Sequence, residues 1–224
     1  MKKETLVEAA LQQLMAENDG VNPQSFIPIH EQLAAKRAEY IKILEFKSFK
    51  SRIEHAINLI CSKIKNTISA DQFELLLQEL AHAGDVLVEN PEIQSNQLGS
   101  TPNTINILFE NAKSYLNKAQ FVDAAALFTL CTVLDNTAFR YWFLLGVSLQ
   151  QLKEYQDAIQ AYETANLIFE QEPLVQLFLA ECYNDLLDTQ KAKLYLDKAQ
   201  EVIKNVQNGT VYDAHLGIVK NKIK

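Results

Sequence analysis

Proline and glycine are scarce in this chain, five and six in 224 residues. Few turns can therefore interrupt its periodic segments, and no glycine-rich low-complexity stretch exists. Alternating runs of β-branched residues are almost absent, while Leu, Ala, Gln, Glu and Lys dominate. Together these point to an all-α chain. No run approaches 18 consecutive apolar residues, so no membrane-spanning helix is expected. The opening "MKKETLVEAALQQLMAEN" is amphipathic and carries Glu4 and Glu8, which excludes an apolar signal core. Only three cysteines occur, Cys61, Cys131 and Cys182, far apart in sequence. Without an export signal they read as reduced thiols, and the expected compartment is a cytosol. The "NGT" at 208–210 has no meaning as a glycosylation acceptor in that setting. Charge of one sign is not concentrated anywhere. Residues 1–100 carry 10 basic and 14 acidic side chains, residues 101–224 carry 11 and 14, and the net charge is −7. Nucleic acid is therefore not expected as a partner.

Catalytic and metal-binding patterns are missing as well. His30, His55, His82 and His215 have no second ligand-type residue at H-x3-H spacing, and no C-x2-C occurs. They read as surface or boundary histidines, and Cys131 and Cys182 as packed thiols. No G-x-G-x-x-G or G-x4-G-K phosphate loop is present. The expectation is a non-enzymatic chain with no catalytic residue, no cofactor and no metal.

What the chain does have is helical periodicity. Residues 1–18 form one amphipathic pattern with Leu6, Ala10, Leu11 and Leu14 on one face, and "NDGVNPQSFIP" at 18–28 breaks it. A long pattern from Ile29 to about Lys65 follows, with Leu33, Tyr40, Leu44, Ile53, Ile57, Ile60 and Ile64 at helical steps. "SADQ" at 69–72 reads as a capping box opening a helix to about Glu89. Residues 1–90 are thus expected to be an N-terminal helical region, for dimerisation or a specific partner. Residues 91–103 read as a linker, at whose end Thr101 and Pro102 form a cap and first-turn pair.

Beyond Thr104 the sequence repeats with a period of 34. Phe121, Tyr155 and Thr189 align, as do Ala124, Ala158 and Ala192. So do Phe128, Tyr162 and Leu196; Cys131, Ala165 and Ala199; Ala112, Gly146 and Ala180; and Leu108, Trp142 and Gln176. Small residues meet small ones, with no insertion. This is the tetratricopeptide period, and the middle copy carries its signature as Trp142-x2-Leu145-Gly146 followed by Ala158-x3-Tyr162. Small residues let two antiparallel helices approach, and the aromatic ones fill the gaps between hairpins. The expected fold is all-α: three tetratricopeptide helical hairpins in a right-handed solenoid, with a C-terminal capping helix, preceded by the N-terminal helical region. The repeats are placed at about 105–138, 139–172 and 173–206 within a domain 104–224. The capping helix is placed at 211–223, with Val211, His215, Ile218 and Lys222 at helical spacing.

Segment 126–186, with "WFLLGVSLQQLKEYQDAIQAYETA" in repeat two and "P......AEC" opening repeat three, resembles the class II (translocator) chaperones of bacterial type III secretion. The resemblance covers about residues 105–203. It implies a cytoplasmic chaperone that holds a hydrophobic translocator or effector through an extended segment in the concave groove. It also implies homodimerisation through the N-terminal helices, and no direct membrane insertion. The chain differs from that family in its long N-terminal segment. It also differs in having Gln120 or Glu154, near Ala119 and Lys153, where the family has glycine before the inter-helix aromatic.

In this repeat class the groove positions are 2, 5, 9, 12 and 13 of each repeat. Here the expected partner-binding residues are Phe109, Lys113, Leu116, Arg140, Phe143, Val147, Gln150, Leu174, Leu177 and Glu181. Phe109, Leu116, Phe143, Val147, Leu174 and Leu177 are expected to form a continuous, accessible apolar floor. Burying four such side chains under a ligand contributes roughly 6–10 kcal/mol before ordering costs. A site for a charged peptide terminus would present Lys, Arg and Asn instead. The alternative reading is an interaction scaffold or regulator without an export cargo. Another alternative is that the floor is covered by the N-terminal helices or by a dimer partner.

Overall fold

The computed structural model describes residues 47–90, 93–169, 172–206 and 209–223, and all their regular structure is helical. The expected helix 1–18 and the part of the 29–65 pattern before Lys47 lie outside the described residues. So does His30.

Three hairpins stack along the chain. The first pairs α3 (Pro102–Asn117) with α4 (Phe121–Leu134). The second pairs α5 (Phe139–Gln151) with α6 (Tyr155–Ile168). The third pairs α7 (Pro173–Asp185) with α8 (Thr189–Asn205). Thr101 caps α3 by accepting from the Thr104 amide, and Pro102 occupies its first turn. Pro173 does the same for α7, where the Glu172 side chain accepts from the Leu174 amide.

The turn inside each hairpin repeats its backbone in detail. Ala119, Lys153 and Leu187 have φ of 57°, 63° and 64°. At each, two amides bridge back to carbonyls: Ala119 to Leu116 and Gln120 to Tyr115, Lys153 to Gln150 and Glu154 to Leu149, Leu187 to Asn184 and Asp188 to Tyr183, each at 2.9–3.0 Å. This is the Schellman ending, whose left-handed residue favours glycine. The left-handed residues are thus Ala119 and Lys153, one position before Gln120 and Glu154, and none of the three is glycine.

The repeat signature is a packing device. A Cβ added at Gly146 would lie 2.6 Å from the Tyr162 ring, so only glycine lets α5 and α6 approach with that ring between them. Trp142 is buried and its indole donates to the Asn136 carbonyl at 2.9 Å. Cys131 and Cys182 are buried, and burial pushes the Cys131 thiol far up, which keeps it protonated. Cys61 is exposed.

The N-terminal region joins this stack from behind. α1 (Lys47–Ser62) packs on α4. Its Arg52 donates to Glu154 at 3.0 Å and to Asp157, both at the start of α6. His55 and Lys63 reach Asp123 at 2.6 and 3.3 Å. The described part of the helix expected to dimerise is therefore packed on its own chain. α2 (Ala70–Glu89) opens on the expected capping box of Ser69 and Gln72. Its buried Glu79 accepts from the Thr101 amide at 2.8 Å and so ties the linker to the start of α3.

The C-terminal helix α9 (Asp213–Lys222) follows a short 3-10 turn, Gly209–Tyr212, and packs on α7. Its buried stripe differs from the expected one. Tyr212, His215, Leu216, Val219 and Ile223 are buried, while Val211 and Ile218 are exposed. Only His215 of the expected set faces inward, because the buried stripe runs one residue further on, through Tyr212, Leu216, Val219 and Ile223. His215 is consequently a core histidine, edge-on to Phe178 at 5.1 Å, and not a boundary one.

Candidate partner-binding groove

The groove positions lie on α3, α5 and α7, the first helix of each hairpin. An accessible apolar floor is not what the structure shows. Phe109, Phe143, Val147, Leu174 and Leu177 are all buried, and Leu116 is half-buried. For Phe143 the reason is visible. Its ring stacks on Phe139 at 5.5 Å and lies against Tyr162 and Phe178 at 6.0 and 5.7 Å. It thus fills the joint between the second and third repeats.

Gln150 and Glu181 are enclosed in the same way. Both are buried, and they bond to each other at 3.0 Å. Tyr162 donates its hydroxyl to Gln150 Oε1 at 2.9 Å. Burial, with Cys182 and Glu181 adding to it, raises the Tyr162 phenol well above its usual range, so it stays a donor. On the other side, Lys222 of α9 donates to Glu181 at 3.0 Å, and His215 Nε2 lies 3.9 Å from the same carboxylate. These residues form a polar chain from α6 through α5 and α7 to the C-terminal helix. A buried carboxylate is tolerated there because hydrogen bonds and a cation satisfy it.

The accessible end of the site is at the first repeat. The Arg140 guanidinium lies over the rings of Phe109 and Tyr141, at 5.0 and 4.8 Å, and donates to the Tyr141 hydroxyl at 2.8 Å. Lys113 approaches Phe109 from the other side at 5.4 Å while pairing with Glu110 at 3.2 Å. Lys113, Leu116 and Arg140 are half-buried, and Asn106 and Asn117 are exposed. Phe109 and Tyr141 are themselves buried, so what this end offers a passing chain is the half-buried Lys113, Leu116 and Arg140 packed over them. Tyr141 was not among the expected residues. Position 3 carries no consensus, and only the contact with Phe109, ring centroids 5.3 Å apart, reveals it.

Among the described residues no group of three or more His, Cys, Asp or Glu side chains could hold a metal ion. No described helix is long and apolar enough to cross a membrane.

The class defined by three hairpins in this register is the tetratricopeptide-repeat protein, and the tetratricopeptide repeat model matches residues 139–171, the second hairpin. Within that class the chain is similar to chaperones of type III secretion. Low calcium response locus protein H of Yersinia pestis is 24% identical over 139 residues, covering 62% of this chain and 79% of that protein. PcrH in complex with the chaperone-binding region of PopB is 25% identical, with a TM-score of 0.51 over 54% of this chain and 98% of PcrH. A chain in a type III secretion complex from Aeromonas hydrophila shares the fold, at 22% identity and a TM-score of 0.53, over 62% of this chain and 96% of that one.

Proposed function

We propose that this chain is a non-enzymatic, cytoplasmic chaperone of type III secretion that holds a hydrophobic translocator through the concave face of its repeats. The observation that carries this is the match to PcrH with the chaperone-binding region of PopB, because it spans nearly all of PcrH. The cationic entrance at Lys113 and Arg140, held over the buried rings of Phe109 and Tyr141, supports it. The entrance is half-open and lies at one end of the expected path.

In this reading Leu116 and the entrance make the first contacts. Val147, Leu174 and Leu177 form the floor deeper in. Gln150 and Glu181 shape the floor from within, by fixing α5, α7 and α9 to one another. Affinity capture of the tagged full chain from its native cells tests the function. The main expected catch is a protein with long apolar, membrane-seeking segments. A catch made only of soluble partners without such segments would favour the scaffold reading.

A further inference from the structure

The described residues include two arginines, and their partners differ in kind. Arg52 is buried and pairs with Glu154 and Asp157. Arg140 is half-buried and pairs with no carboxylate among the described residues; its contacts are the Tyr141 hydroxyl and the rings of Phe109 and Tyr141. Yet the chain has 28 acidic side chains against 21 lysines and arginines. Of the five N–H donors of the Arg140 guanidinium, one goes to the Tyr141 hydroxyl at 2.8 Å, and Nε is buried without a hydrogen-bond partner. The acids of the neighbouring turn and helix are engaged elsewhere. Asp135, on the turn before α5, accepts from the Thr137 amide and hydroxyl at 3.1 and 2.7 Å. Glu110 takes Lys113 on both of its oxygens at 3.2 Å, which also removes Lys113 as a free cation. A guanidinium partly withdrawn from water attracts a carboxylate more strongly than an exposed one does.

The backbone adds to this at the same place. Arg140 lies in the first turn of α5. Of the six repeat helices, α5 alone begins with neither a capping side chain nor an acidic residue in its first turn. The positive end of its dipole is therefore uncompensated beside the guanidinium. Packing over Phe109 and Tyr141, at 5.0 and 4.8 Å, fixes where the guanidinium sits before any ligand arrives. With Nε buried, the terminal Nη groups are the ones left for that ligand. We propose that Arg140 takes the side-chain carboxylate of an Asp or Glu in the extended segment held by the groove, and so sets the register of that segment. The proposal rests on the groove reading above and names the partner's chemistry: apolar side chains with one acid at the first hairpin. The ligand is a side chain and not a chain end. α3 keeps Asn106, Glu110 and Asn117 exposed along its length, so the site is open and a chain can run on past it. Lys113, the second cation that a chain end would draw on, is held by Glu110.

The test selects binders of the full chain from a display library of random segments, each flanked on both sides by carrier protein so that none ends in a free carboxylate. The enriched segments should combine apolar residues with Asp or Glu at one fixed position. The same selection on Arg140→Gln should enrich apolar segments without that acid. One enriched segment is then made as a peptide with both ends blocked. Replacing its acid by the matching amide should weaken binding to the native chain about tenfold and change binding to Arg140→Gln little, because the charge-assisted pair is already gone. Arg140→Lys keeps the charge without the fork and should retain part of the preference. Lys193→Gln, exposed on α8, is the charge control and should leave it unchanged. Far-UV circular dichroism should be the same for all variants. Apolar segments enriched without a fixed acid overturn the proposal while the chaperone reading stands. An acid preference that survives Arg140→Gln overturns it too. So does binding that requires an unblocked C-terminus, because the anion is then a chain end. Acidic segments without apolar residues would instead contradict the chaperone reading and leave Arg140 as an anion site.

Discussion

The second helices of the first and third hairpins occupy the same place in the repeat and live in different surroundings. Every residue of α4 from Ala124 to Leu134 is buried. α8 buries only Ala192, Leu196, Ala199 and Ile203, one stripe. Sixty-eight residues apart, Ala125 faces Lys193 in the alignment, Thr129 faces Asp197 and Leu130 faces Lys198. The shared positions, Ala124 with Ala192 and Phe128 with Leu196, pack against the hairpin's own first helix. The positions that differ are buried on α4, on which α1 packs, and exposed on α8. The repeat therefore fixes the inner face of each helix, and the outer face records what docks on the back of the solenoid.

That contrast can be broken by exchanging the outer residues. Leu130→Lys should lower stability by about 4 kcal/mol, since a cation would be buried under α1 without a partner. Lys198→Leu on α8 should change it by less than about 0.5 kcal/mol. Denaturant titrations of the two variants give both values, and comparable effects would mean that α1 does not cover α4. Next in size is the inner face. Gly146→Ala should cost about 2–3 kcal/mol, because the new methyl meets the Tyr162 ring. Chemical unfolding measures this directly. Arg52→Ala should cost about 1–2 kcal/mol by leaving Glu154 and Asp157 without their shared cation. Hydrogen exchange should then rise in α1 and not in α8. The smallest effects are stabilising. Ala119→Gly, Lys153→Gly and Leu187→Gly relieve the same left-handed turn in three hairpins. Each should add up to about 1 kcal/mol, read as a rise in melting temperature.

The repeats were legible in the sequence because their spacing is a packing rule. Gly146, Tyr162, Ala158 and Trp142 cannot change without losing a contact, so they stand out at a period of 34. The capping box at Ser69 and the cap at Thr101 were legible for the same local reason. The phase of α9 was not, because two sets of residues one position apart share helical spacing there, and only packing on α7 selects Tyr212, Leu216, Val219 and Ile223. The state of the groove was not legible either. Positions 5, 9 and 12 point toward the concavity in the repeat pattern, yet whether they reach water depends on neighbours far away in sequence. Phe143 closes on Phe178, and Gln150 on Glu181, thirty-odd residues apart. Lys222 and His215 reach Glu181 from the far end of the chain. No local spacing announces that convergence.

The most direct test of the groove as the partner's seat uses a photoreactive side chain at one position at a time in the full chain. It is placed at Val147 for the concave face and at Leu194 for the bare outer face of α8, with the chain coexpressed with its captured hydrophobic partner. The account predicts a covalent adduct with the partner from position 147 and none from position 194. An adduct from 194 alone would contradict it.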